Sequence, residues 1–419
     1  MERSRTVLST ALTLVILASL AGCTDTGLAM PTPSPSPTYA VTGDGVLRIG
    51  TLFATSGGLA RFGAGQVAGV EVAVREINEA GGVNGVPVEL YHRNSGDAIE
   101  TAEAAYAELV AKGVDVVIGP TASDLAQRLV EPVLAAGVPL ISPAATLPSL
   151  TTLEDAGLVF RTVSDYADQG SVLAAAMAEA GATKVAYLYL DDEDGAALLD
   201  SLTAAVQDEG ISLAHSASFT ASAANFSSIV SKVKKAKPDA VVLSTPAWAV
   251  EQTAGLITAL NAASLGGAGL WLTSDNLADY SISLPAGALE KTSGVLEGSR
   301  PDAAFLARLT QTDPALATAR YAQEAYDATI LAALAAIEAD DDGGPAIARL
   351  LPTVSAKGIP CTSFGACLDV WTTEPDIDYD GVSGPVDLTE AGDVVSGSWT
   401  VYVYDAGNVF TPVRTVMSG

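Results

Sequence analysis

The chain has 419 residues, of which 49% are hydrophobic and 17% charged, with a formal net charge of −28 at pH 7. That acidity argues against nucleic acid as a partner, since phosphate backbones need a basic footprint, and it reads instead as a solvated, self-repelling surface. The apolar content is sufficient for two cores, and the roughly 375 residues beyond position 45 favour two domains over one.

The N-terminus sets the expected compartment. Arg3 and Arg5 precede an apolar run, 7–20, that is too short for a comfortable membrane span. The run ends in Leu20-Ala21-Gly22-Cys23, which resembles a bacterial lipobox, whose Cys is lipidated and becomes the new N-terminus after cleavage. Residues 1–22 therefore read as a signal peptide. Residues 23–45, where Pro alternates with Ser or Thr, read as a stiff, coreless tether. A lipid followed by a spacer describes an extracytoplasmic head anchored to the bacterial cell membrane through Cys23. The alternative is an uncleaved anchor helix with an incidental Cys.

The globular part opens with strand 47–53 and the loop ATSGGLARFGAGQ. A helix follows over 66–80, with Val67, Val70, Val74 and Ile77 at helical spacing and Gly81-Gly82 ending it. Strand 86–92 and helix 99–112 come next. Two apolar runs, 116–118 and 138–141, joined by about 20 residues of helical pattern, form a parallel βαβ unit. Pro132 falls inside that helical pattern and is expected to kink it. The alternation from residue 47 onward predicts a doubly wound parallel sheet.

The same grammar restarts after residue 162. Helices 169–180, 196–209, 226–236 and 250–262 alternate with strands 185–190, 213–219, 240–245 and 269–273. From about Ser274 the pattern changes to two successive helices, 301–311 and 318–339, which cannot extend a parallel sheet and so should cover one already made. The tail 397–404 alternates apolar and polar residues like a strand.

The loops Gly119-Pro120-Thr121-Ala122-Ser123 and Ser142-Pro143-Ala144-Ala145-Thr146 fall at the carboxyl ends of neighbouring parallel strands, where open α/β sheets bind ligands. Each offers backbone N–H groups and a hydroxyl without bulk, which suits a carboxylate. The plain role of Ser123 is helix N-cap, and a helix N-terminus also favours an anion.

Other motifs carry less. Setting Cys23 aside, Cys361 and Cys367 remain, and in an oxidising compartment they read as a small local disulfide. With His92 and His215 the sole histidines, zinc has no completing set. Asp376-Ile-Asp378-Tyr-Asp380-Gly381 copies the start of a calcium loop, with Asp387 at the twelfth position. Gly384-Pro385 and the β-like sequence beyond supply no exiting helix, so a solvated turn is the expected reading and no metal is assigned. There is no phosphate-loop signature, no G-x-S-x-G elbow and no nucleophile arrangement. Neither a cofactor nor enzymatic activity is expected.

The ordered segments IGTLFATSGGLARFG, AGGVNGVPVEL, GVDVVIGPTASD, AGVPLISPAAT, VFRTVSD and DYDGVSGPVDL resemble the type I periplasmic binding proteins, in particular the branched-chain amino acid binding proteins of ABC importers. The resemblance runs from about Val46 to Phe410. It implies an α/β fold of two doubly wound, Rossmann-like lobes joined by three crossovers near Arg161, Ser274 and Gly344. Lobe one would comprise 46–160 and 275–344, and lobe two 161–274 and 345–419, with the ligand trapped between them.

Carried over residue by residue, the resemblance implies hydroxyls from Ser123 and Thr146 and backbone groups from Ala144, within loops that include Ala122 and Ala145. It places Asp275 as acidic partner of an ammonium and Phe62 as a ring against the ligand. Asp194 stands where the family often has Tyr, and Trp248 lies in a loop that departs from the Gly-Gly-Tyr type. If Asp194 reaches the cleft, a cationic or donor-bearing ligand side chain is favoured, with Trp248 covering its flat or apolar part; if it points to solvent, a leucine-like ligand is expected. The expected function is a monomeric, lipid-anchored solute-binding protein that closes on an amino acid-like small molecule and delivers it to an ABC permease. The alternatives are a ligand sensor reporting to a membrane receptor or regulator and, less favoured, an exported enzyme.

Overall fold

The computed structural model describes residues 43–418; the expected signal peptide, Cys23 and nearly all of the expected tether lie outside the described residues. The first lobe is built from β1 (Arg48–Phe53), α1 (Ala60–Glu79), β2 (Glu89–Asn94), α2 (Ile99–Ala111), β3 (Val116–Ile118), α3 (Ser123–Arg128), α4 (Val130–Ala136), β4 (Leu140–Ser142) and β5 (Val159–Arg161). Its sheet has the order β2-β1-β3-β4-β5, parallel throughout. The strands β3 and β4 are buried at every residue, as expected where helices cover both faces of a parallel sheet. The helix between them breaks at Leu129, because Pro132 has no N–H to give the carbonyl of Arg128.

The second lobe contains α5 (Gln169–Glu179), β6 (Lys184–Leu190), α6 (Glu193–Asp208), β7 (Ser212–Phe219), α7 (Ser227–Ala236), β8 (Ala240–Ser244), α8 (Val250–Ala262), β9 (Leu270–Leu272) and β10 (Ser293–Glu297). The chain then returns to the first lobe through α9 (Ala303–Thr312), α10 (Ala322–Ala339), α11 (Gly344–Val354), β11 (Ile359–Cys361), α12 (Phe364–Trp371) and β12 (Ile377–Tyr379). It ends in the hairpin β13 (Ser398–Tyr404) and β14 (Phe410–Met417), which pairs antiparallel with β10. The second sheet has the order β14-β13-β10-β9-β8-β6-β7.

Two of the expected boundaries move. The strand β10 pairs in parallel with β9, Ser293 opposite Trp271, so the chain stays in lobe two well past Asp275 and crosses after Glu297. The segment after 344 does not belong to lobe two. Ile347, Leu351, Cys361, Phe364, Tyr379 and Val394 all enter the core that also contains β1, β3 and α10, and the third crossover falls at residues 395–397. The helix α10, with fifteen buried residues, is the apolar pillar that this return segment covers. Asp327, fully buried on it, accepts hydrogen bonds from Tyr379 Oη (2.8 Å), Val382 N (2.9 Å), Ser383 N (2.8 Å) and Ser383 Oγ (2.5 Å), which fixes the return loop. Cys361 and Cys367 are joined by a disulfide, with Cα atoms 5.1 Å apart.

At the first crossover Arg161 is 2% exposed. Its guanidinium donates to Asp393 (2.6 Å), Asp165 (2.9 Å), Thr151 Oγ1 (2.9 Å), Leu147 O (3.0 Å) and Ala145 O (3.5 Å). Replacement by Met would leave Asp165 and Asp393 as largely buried carboxylates without a counter-ion. Arg161→Met should therefore cost about 3–5 kcal/mol in equilibrium urea unfolding, and a loss below about 1 kcal/mol would refute this role.

Candidate functional site

A cavity of about 690 Å³ opens between the lobes. From lobe one it is walled by Arg61 and Phe62, at the start of α1, and by the segment 318–324 leading into α10. From lobe two it is walled by Ala247, Val250, residues 275 and 277–280, Leu296, Glu297, Tyr402 and Phe410. The glycines of α1 explain why the two lobe-one segments lie so close. A Cβ on Gly65 would stand 2.8 Å from Thr318 O, and one on Gly69 2.1 Å from Ala322 O. This close approach brings the Tyr321 ring edge-on to Phe62, with centroids 5.5 Å apart, and sets the Arg320 guanidinium over both rings.

Charge is segregated across the cleft. Lobe one contributes Arg61 and Arg320, and lobe two contributes Asp275 and Glu297. Arg320 Nη2 reaches Glu297 at 2.9 Å, an ion pair between the lobes. Two atoms of that pair, Arg320 Nε and Glu297 Oε1, are buried and lack a partner. Burial, reinforced by Glu297 and opposed by Arg320, pushes the Asp275 carboxyl up to about 7. Glu324 is 4% exposed and lines both this cavity and a small one among residues 162–164, Gly298 and residues 397–398, where the crossovers meet. Burial pushes its carboxyl up to about 8.

The expected residues distribute unevenly around this cavity. Phe62 and Asp275 line it, and Ala144 packs with Phe62, Val163 and Tyr321. Ala122, Ser123, Ala145 and Thr146 are not in its wall. Ala145 is buried against Ala126 and Leu150. The loops that hold them are stapled to each other. Ser142 Oγ donates to Pro120 O (2.7 Å) and accepts from Ala145 N (2.9 Å) and Ala144 N (3.3 Å), while Ser123 Oγ accepts from Thr146 N (2.9 Å) and Leu147 N (3.4 Å). The backbone donors of the second loop, from Ala144 to Leu147, are thus engaged, and the Ser123 hydroxyl binds the opposite loop rather than capping its own helix.

Trp248 is 67% exposed and stands outside the cavity, between Ala247 and Val250, which do line it. Asp194 also lies outside the wall, but it is close enough to Asp275 for each charge to act on the other, and burial pushes it up to about 7. The carboxylates of Asp378, Asp380 and Asp387, read as a solvated turn, converge within 4.8 Å of one another and are partly buried.

Sequence reasoning missed Arg61, Glu297, Arg320, Tyr321 and Glu324. Arg61 adjoins Phe62 in the loop already singled out and could have been weighed with it. The others depend on β10, which was not recognised, and on a left-handed Tyr321 (φ 63°) that delays the start of α10 to Ala322.

A periplasmic binding protein family model matches residues 46–408. The substrate-binding protein BasB of a chemotactic signal transduction system in Halobacterium salinarum is 28% identical, covering 86% of this chain and 87% of that protein. A leucine-, isoleucine-, valine-, threonine- and alanine-binding protein of Pseudomonas aeruginosa is 31% identical over 47% of this chain and 53% of its own length, so the chain matches about half the length of that relative. The fold agrees with an ABC transporter substrate-binding protein of Desulfitobacterium hafniense in complex with Leu, at a TM-score of 0.67 and 22% identity over 88% of this chain and 100% of that one. The chain belongs to the periplasmic binding protein family, and its fold is the two-lobed α/β fold of the type I members. That family is one of solute-binding proteins and not of enzymes.

The Glu324 carboxyl allows a test of the site by pH. Between its ordinary value of 4.5 and about 8 the folded chain keeps the proton that the unfolded chain releases, so stability falls as pH rises through that window and levels off above it. Glu324→Gln should remove about 3–5 kcal/mol of that decline, measured as the difference between variant and wild-type unfolding free energies at pH 5 and pH 8.5. Parallel pH profiles for the two proteins would show that the carboxyl is not held neutral.

Proposed function

We propose that the protein is an extracytoplasmic solute receptor that captures an amino acid-like ligand in the inter-lobe cleft and delivers it to an ABC permease. The observation that carries this reading is the segregation of charge across the cavity, with Arg61 and Arg320 on lobe one and Asp275 on lobe two. A zwitterion spanning the gap places its carboxylate at the unpartnered Arg320 Nε and its ammonium at Asp275. Each charged hydrogen bond contributes about 1.5–3 kcal/mol. Because the two contacts come from different lobes, both are complete only when the cleft is closed. Ligand binding then favours the closed state, which the permease recognises. The receptor works as a monomer, tethered to the cell membrane through lipidated Cys23.

A second reading has its own support. The relative BasB, aligned over most of both chains, serves a chemotactic signalling system, so closure could report to a membrane receptor or regulator. Deleting the gene separates the two. Transport predicts lost uptake of a radiolabelled amino acid, whereas sensing predicts intact uptake with a lost behavioural or transcriptional response.

Binding is checked by calorimetry with the twenty L-amino acids and their N-acetyl derivatives. Asp275→Asn should weaken binding of the preferred amino acid about tenfold to a hundredfold, corresponding to about 1.5–3 kcal/mol, without lowering apo stability. N-acetylation of the ligand should do at least as much, and equal affinity for acetylated and free forms would sink the proposal. For the anchor, wild-type protein from membranes should enter the detergent phase on Triton X-114 partitioning, and Cys23→Ala should release it or leave the precursor uncleaved.

A further inference from the structure

We infer that the cleft selects an amino acid whose side chain ends in an uncharged carboxamide, and that Gln323 and Glu324 form the subsite that holds it. The inference rests on the reading of the cleft as an amino acid site and goes beyond it to the substrate class. Both residues line the cavity at the start of α10, and both are 4% exposed. Neither is engaged by the contacts assigned to the ligand's carboxylate and ammonium.

The Gln323 amide has a fixed orientation. Its Nε2 donates to Ser299 Oγ at 3.1 Å and to Val382 O. A carbonyl oxygen can only accept, so the amide nitrogen faces the return loop and Oε1 faces away from it. Among the described residues Oε1 makes no hydrogen bond, and it is not sealed from solvent as the orphaned core atoms are. Glu324 is held by its backbone carbonyl, which accepts from Thr162 Oγ1 at 2.8 Å, while its carboxyl makes no hydrogen bond to another described residue. The small cavity on its hinge side has about 10 Å³, room for no more than about one water. A ligand group can therefore reach the carboxyl only from the large cavity.

Charge is balanced at this end of the cleft. Arg320 and Glu297 neutralise each other at 2.9 Å, Gln323 carries no charge, and burial keeps the proton on Glu324 at neutral pH. What remains is one amide oxygen that accepts and one carboxylic acid that both donates and accepts. An ammonium, a guanidinium or a carboxylate would give up its water here without finding a free counter-ion. An aliphatic end would cover both polar groups and leave them unpaired. A carboxamide donates through N–H to Gln323 Oε1 and accepts at its oxygen from the Glu324 O–H, which satisfies both.

The test is calorimetry of the intact chain at neutral pH with L-glutamine and L-asparagine, against L-glutamate, L-norleucine, L-leucine and L-lysine. The preferred amide should bind at least tenfold more tightly than each of the other four. Gln323→Leu and Glu324→Leu should each reduce its affinity relative to norleucine by tenfold or more, whereas Glu324→Gln, which still donates and accepts, should keep the preference. A merely structural role would lower both affinities together. Wild-type affinities alone decide the substrate class, so a poorly folded variant does not block the test. Glutamate, norleucine, leucine or lysine binding as tightly as the better amide overturns this inference and leaves the cleft as an amino acid site. So does a preference unchanged in well-folded Gln323→Leu and Glu324→Leu, or lost in well-folded Glu324→Gln. Binding of none of the six, nor of any other free amino acid, overturns that broader reading and this inference with it.

Discussion

A guanidinium taken out of water must find acceptors for all its N–H groups, and at Arg161 they come from widely separated parts of the chain. Asp393 lies more than 230 residues away at the third crossover, Asp165 begins the second lobe, and Thr151, Leu147 and Ala145 belong to the loop after β4. One side chain therefore fixes two of the three connections between the lobes and positions the platform on which Ala144 and Phe62 pack. The backbone reinforces it, since Arg161 N donates to Gly392 O at 2.8 Å, holding the outward and returning segments side by side. These segments are bound to each other, so the two lobes are joined through a narrow set of connections.

Glu324 joins that hinge to the cavity. Its backbone carbonyl accepts from Thr162 Oγ1 at 2.8 Å, and its carboxyl stands in the space shared by the crossovers and the ligand cavity. A Cβ on Gly298 would stand 2.4 Å from its Oε1, so a glycine at the second crossover, at φ +86°, is what makes room for it. Held neutral, the carboxyl adds no charge to a cleft whose polarity depends on the balance of two arginines against Asp275 and Glu297. Ionised, it would sit near Glu297 and Asp327 and compete for Arg320. Cleft electrostatics and hinge geometry are thus set in part by one group.

Much of lobe one was legible because its signals are local. The runs at β3 and β4 are short and wholly apolar, the Gly81-Gly82 stop closes α1, and Pro132 marks the break between α3 and α4. Resemblance supplied the two-lobe plan and singled out Asp275, which lines the cavity and which composition could not have located. The second crossover was misplaced for a physical reason of its own. The strand Ser293–Glu297 is five residues long with Gly294 inside it, and its place is decided by pairing with β9 on one side and β13, about a hundred residues later, on the other. No periodicity within five residues reports such a partner. With β10 unseen, Glu297 had no address, and its ion pair with Arg320 was invisible.

The stapled loops of lobe one show why a motif can be read at the right place and with the wrong chemistry. Ser123 and Ser142 do stand at the strand ends where ligands bind in α/β sheets, yet the Ser123 hydroxyl accepts from N–H groups of the opposite loop, and the Ser142 hydroxyl accepts from N–H groups of its own loop while donating to Pro120 O. With the N–H groups of Ala144 to Leu147 satisfied internally, the second loop is held to the first as a fixed floor. The positive charge at the cavity comes from Arg61 and Arg320, brought there by the approach of α1 to the segment before α10 that Gly65 and Gly69 permit. In the proposed reading, cations from lobe one facing carboxyls from lobe two would let the cleft discriminate by charge, whereas a pocket walled by Leu and Val would discriminate by shape alone, where one methylene is worth only about 1–3 kcal/mol.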